Sequence, residues 1–147
     1  MTLARHGVPL RGKAPDDNWI ASDLAAAQAY SRANLEAYWR PWIARLRESL
    51  PNSPADGKFE DAVAWSVLGI SRLHGLIAEG NLMSKTVAGR DARNAFPAHA
   101  EIIDTALALR AGRSPAMHDP HWTHQALLAC LEDILTDGLT RPAARPD

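Results

Sequence analysis

The chain has 147 residues, 16 of them Lys or Arg and 17 Asp or Glu, so it stands near charge balance at −1. It therefore lacks the surplus positive charge on which nucleic-acid binding draws, and nucleic acid is not an expected partner. A single cysteine excludes a disulfide framework within the chain and fits a reducing cytoplasm. No run reaches the roughly 20 apolar residues of a membrane span. The opening MTLARHGVPLRG has no apolar h-region, so no secretory leader is expected.

In chain order, residues 1–21 read as an irregular, linker-like arm. Pro9, Gly12, Pro15 and Asp16-Asp17 are turn formers, while Val8, Leu10, Trp19 and Ile20 offer apolar anchors. Ser22 is a suitable N-cap for the Ala-rich helix SDLAAAQAYSRANLEAYW, with Leu24, Ala27, Tyr30 or Ser31, Asn34 or Leu35, and Tyr38 tracing a face. Pro41 predicts a kink or break near Trp39-Arg40, followed by a shorter helix from Pro41 to Leu50. Trp39 and Trp42 flank that point, as apolar filler of a hinge in one reading and as lining of a cleft in another. Pro51 to Gly57, PNSPADG, is a loop.

Phe59 to Glu79 predicts the central helix. Phe59, Val63, Val67, Ile70 and Ile77 recur at helical spacing, and Trp65, Leu68, Gly69 and Leu76 form a neighbouring stripe. A helix apolar over so much of its circumference needs helices around it. Gly80 suits its C-terminal turn, and Ser84 suits the N-cap of the next helix, SKTVAGRDAR. After the Phe96-Pro97 break, a helix from Ala98 to Ala111 places Ile102, Ile103, Ala106 and Leu109 inward, and Gly112 ends it. Asp119-Pro120 starts a last helix running to Asp137, with Leu127, Cys130, Leu131 and Ile134 inward and Gly138 as its stop. Residues 139–147 read as a flexible tail. The expected fold is all-α, a single bundle of about five helices over residues 22–138.

The polar residues of the central helix point to a site. Asp61, Trp65, Leu68 and Arg72 fall at i, i+4, i+7 and i+11, and so share a face. Lys85 stands at the start of the next helix, where free N–H groups and the helix dipole favour an anion. A carboxylate, an indole, a guanidinium and an ammonium would suit a charged ligand. Structural ion pairing explains the same residues equally well.

The long helix bearing Arg72, the Glu79-Gly80 turn, Ser84-Lys85, Ala88-Gly89 and the Phe96-Pro97 break occur in an order and spacing that resembles one family. HGVPLRG (His6 to Gly12) and YWRPWI (Tyr38 to Ile43) add to it. The family is the streptomycin and spectinomycin 3″-adenylyltransferases, and the likeness is to their C-terminal helical domain. The resemblance implies an antibiotic-resistance type of site, with Glu60, Asp61 and Trp65 toward an aminoglycoside-like cation. It implies Lys85 and Arg110 toward ATP, with Arg72 and His74 supporting. The register departs from the family's: Ala62 and Lys58 stand where acidic residues are expected, and Arg110 or Ala111 stands in place of a tyrosine. The family's catalytic domain carries a Gly-Ser turn and an Asp-x-Asp pair for Mg²⁺, and neither occurs in this sequence. The resemblance thus implies a stand-alone ligand-binding domain, not catalytic by itself. It would use ATP and Mg²⁺ only with a separate nucleotidyltransferase domain.

Two other readings remain open. Arg113 and His118 have an R-x4-H spacing resembling that of HEPN-type ribonucleases, which would make the chain an RNase or a toxin–antitoxin-type partner. A structural role with self-association, a homodimer, is the other. His118, His121 and His124 form an H-x2-H-x2-H run, but no cysteine cluster or HExxH accompanies it, so a metal site is not expected.

Overall fold

Helix-forming composition and apolar faces that need partners produce helices throughout the computed structural model, which describes residues 23–49, 57–113, 115 and 120–142. They are α1 (Leu24–Asn34), a π-helical stretch (Leu35–Trp39), α2 (Arg40–Ser49), α3 (Gly57–Glu79), α4 (Lys85–Ala95), a 3₁₀ turn (Pro97–His99), α5 (Ala100–Arg110) and α6 (Pro120–Thr140). Counting α1, the π stretch and α2 as one rod, this is an all-α bundle of five helices, with no strand among the described residues. The arm 1–21 lies outside those residues.

α3 is the hub, packing against α1, α4, α5 and α6. The five residues of its predicted stripe, Phe59, Val63, Val67, Ile70 and Ile77, are all buried. They meet Leu35, Ile102, Ile103, Leu127, Leu131 and Ile134 in one core cluster. Cys130 is wholly buried there, and desolvation, with a smaller push from the Asp133 charge, raises its thiol to about 12. It behaves as a small apolar residue.

Three sequence expectations need correction. Asp23, not Ser22, caps α1, its carboxylate accepting from the Ala26 N–H at 2.9 Å. Of the kink or break expected near Trp39-Arg40, the rod shows no break but a π-helical stretch, Leu35–Trp39, just before Pro41. Its missing N–H and its ring are absorbed by a wider turn, in which the Arg40 N–H reaches back five residues to the Leu35 carbonyl. Gly138 does not stop α6, which continues to Thr140. A Cβ at Gly138 would sit 2.8 Å from Leu35 Cδ1, so this glycine allows close helix approach and is not a terminator.

The buried face of α1 is also set further round than one reading of the sequence places it. Gln28, Ser31, Leu35 and Trp39 are buried, whereas Tyr30 and Tyr38 are exposed. Gln28 Nε2 donates to the Leu76 and Ile77 carbonyls at 3.4 and 3.3 Å. Arg32 donates to the carbonyls of Gly138, Leu139 and Arg141 at 2.8, 3.1 and 2.5 Å. One helix thus donates to carbonyls at the C-terminal ends of two others, where intrahelical partners run out. His74 closes the same seam, its Nε2 lying 2.7 Å from Asp137 Oδ2.

Other predicted ends are observed. Gly80 has φ 68° and Gly112 φ 70°, the left-handed backbone that favours glycine. Past α5 the Arg113 N–H bonds the Ala108 carbonyl at 3.0 Å, completing a Schellman-type turn. The Ser84 hydroxyl accepts from the Val87 N–H at 3.3 Å and caps α4.

Candidate ligand site

The chain turns at Gly80 and re-enters a helix at Lys85, which returns the start of α4 to the flank of α3. Arg72 fixes that turn, its Nε donating to the Met83 carbonyl at 2.9 Å. α4 and α5 then run antiparallel. Arg93 near the end of α4 pairs with Asp104 on α5 at 2.7 Å, and Lys85 at the start of α4 feels the charge of Arg110 at the end of α5. Gly89 makes this packing close, since a Cβ there would lie 2.6 Å from Leu68 Cδ2 and 2.9 Å from Leu107 Cδ2.

These contacts frame a cavity of about 310 Å³, lined by Asp61, Ala64, Trp65, Lys85, Leu109 and Arg110. Its size is at the lower end of the range for small-molecule sites. Three helices therefore bring together four of the residues singled out in the sequence: Asp61, Trp65, Lys85 and Arg110. Asp61, Lys85 and Arg110 have no hydrogen-bond or ion-pair partner among the described residues. Burial, followed by the charges of Arg110 and Arg72, holds the Lys85 ammonium below its ordinary range. An anion placed between Lys85 and Arg110 would counter the repulsion among the cations and favour the charged ammonium.

Trp65 forms the apolar wall. It is 41% exposed, and its ring stacks on buried Trp39 with centroids 5.2 Å apart and planes at 23°. Trp42 and Tyr38 meet Trp65 edge-on at 5.4 and 6.4 Å. Of this aromatic bed the sequence assigned only Trp65 to the site, with Trp39 and Trp42 read first as filler at a hinge and second as cleft lining. The signal available was the cluster of three aromatics around Pro41, whose widened turn presents them to α3. Gly69 makes room, since a Cβ there would stand 3.1 Å from the Trp39 ring.

The remaining predicted site residues lie elsewhere. Glu60 is half-buried and does not line the cavity. His74 is buried on the far side of α3, between Asp137 and the Phe96 ring, whose centroid is 5.1 Å away. It supports the fold and is separate from the cavity. Arg72 supports the site indirectly, through Met83 and its charge. His124 is buried with its ring 4.6 Å from that of Phe59. Of the Arg113–His118 pair, His118 lies outside the described residues. Among the described residues no three His, Cys, Asp or Glu side chains gather as metal ligands, and no helix is long and apolar enough to cross a membrane.

Comparisons with family models, curated proteins and solved structures found no match for this chain.

Proposed function

We propose that the chain is a helical ligand-binding domain whose α3–α4–α5 cavity takes a small molecule carrying both an anionic and a cationic or aromatic group. The observation that carries this reading is the convergence of Asp61, Trp65, Lys85 and Arg110 on one cavity, with its three charges unpartnered among the described residues. Asp61 and Arg110 are exposed and Lys85 is half-buried, so all three charges stand open to a ligand of matching polarity beside the Trp65 wall. Lys85 and Arg110 hold the anion. The Trp65 face carries a ring or an alkyl ammonium, and Asp61 accepts from its cationic edge.

The resemblance to the aminoglycoside adenylyltransferases supplies the ligand classes to try first. These are an aminoglycoside-like polycation toward Asp61 and Trp65, and a nucleotide phosphate toward Lys85 and Arg110. The cavity's residues suit the phosphate. For Mg²⁺ the described residues offer no carboxylate cluster, so a metal would depend on groups from a nucleotidyltransferase partner. The reading is tested by calorimetric titration of the pure protein with ATP and with a streptomycin-type aminoglycoside. Lys85→Ala should abolish nucleotide binding, and Asp61→Asn should weaken the cation. Binding unchanged in both variants would overturn the assignment.

A further inference from the structure

The cavity does not end at Arg110. That side chain also lines a wider open groove of about 970 Å³ along α4 and α5, in which Thr86, Arg90 and Arg113 surround a floor that includes Leu107 and Ala108. The antiparallel register orders the charges along it. Arg110 and Arg113 stand with Thr86 at one end, and Arg90 comes one α4 turn before Arg93. Arg93 is paired with Asp104 at the other end, where Glu101 also lies. The groove thus carries four guanidiniums and two carboxylates in a chain whose net charge is −1. The guanidiniums of Arg90, Arg110 and Arg113 have no hydrogen-bond or ion-pair partner among the described residues. The Schellman turn at Gly112 fixes where Arg113 leaves the helix.

We infer that this groove is a second anion basin, which takes a compact anion bearing two or more phosphate groups at Arg90, Arg110 and Arg113. Guanidinium forks match phosphate oxygens two at a time, and the Thr86 hydroxyl adds a neutral donor. The polarity of the groove favours a compact anion over a nucleic-acid strand. A phosphodiester backbone continuing along the groove would run onto the carboxylates of Asp104 and Glu101, whereas a short chain of phosphates ends before them. Arg110 is shared with the cavity, but Arg90 and Arg113 have no part in the cavity reading, so the two proposals fail separately.

The test uses the full chain with inorganic tripolyphosphate, titrated at low salt. Arg90→Gln and Arg113→Gln are exposed changes expected to leave the melting temperature in place. Each should weaken binding about tenfold, the loss of a charge-assisted hydrogen-bonding partner. Asp61→Asn should leave tripolyphosphate binding intact. The inference is overturned if wild-type protein does not bind tripolyphosphate, or if only Lys85→Ala weakens it while the two arginine variants are silent. It is equally overturned if a ten-nucleotide single-stranded RNA displaces tripolyphosphate at equal phosphate concentration.

Discussion

Two regions of the bundle treat charge in opposite ways. Along the seam where α1 meets the ends of α3 and α6, the polar groups converge on partners: Gln28 and Arg32 on carbonyls, and His74 and Arg141 on Asp137. On the α3–α4–α5 side, Arg93 pairs with Asp104, but the side chains of Asp61, Lys85, Arg90, Arg110 and Arg113 have no partner among the described residues. Both regions are built on α3, from the same kind of amphipathic helices. The contrast teaches that the seam uses its polar groups to hold the bundle together, whereas the charges of the other face stay open to solvent, and it is on these that the proposed binding rests. Substitutions should therefore separate into two classes.

The largest effect should come from Trp39→Ala, which empties the bed beneath Trp65 and leaves Gly69 facing a void. A loss of about 3–5 kcal/mol in urea unfolding is expected, as for other large-to-small changes in cores. Next is Arg32→Ala on the seam. Three carbonyls lose a charged donor, and about 1–3 kcal/mol should be lost. A variant as stable as wild type would mean that the seam is not held in this way.

The pH dependence of the seam is smaller and has a definite sign. Hydrogen bonding from Arg141, opposed by partial burial and aided by His74, holds Asp137 below its usual carboxylate range. A carboxylate depressed in the folded state contributes stability above its unfolded pKa of about 3.9, and that contribution is lost as pH falls toward the folded value. Melting temperatures should therefore drop below about pH 4, with a shallower drop in Arg141→Gln. Identical acid profiles would remove Arg141 from the account. The smallest effect on stability belongs to the open face: Lys85→Ala and Asp61→Asn should each stay within about 0.5 kcal/mol of wild type in urea, because neither removes a contact.

The bundle was legible because helical periodicity and punctuation agree. The buried stripe of α3, the left-handed Gly80 and Gly112, and the Ser84 cap all follow from local rules. The errors fall where tertiary packing competes with a local rule. Gly138 carries a stop signal, yet it serves the approach of Leu35. Pro41 carries a break signal, yet a π turn absorbs it. At the site, helical spacing put Asp61, Trp65 and Arg72 on one face, but only the hairpin of α4 and α5 brings Arg110 to Lys85. His74 shares the helix with the site residues and points the other way, toward Asp137, a partner 63 residues on. The groove arginines follow no single helical face, because they come from two helices and a turn.

The central claim is that the unpartnered face binds a charged small molecule. The most direct measurement is the melting temperature of the pure protein across a panel of aminoglycosides, each with and without Mg-ATP, beside Lys85→Ala and Asp61→Asn. A ligand at about 100 times its Kd adds roughly 2.7 kcal/mol, a shift of several degrees in a domain of this size. The account predicts such a shift for wild type, with the nucleotide part lost in Lys85→Ala and the cation part reduced in Asp61→Asn. A flat panel, with all three proteins melting together in every condition, would contradict it.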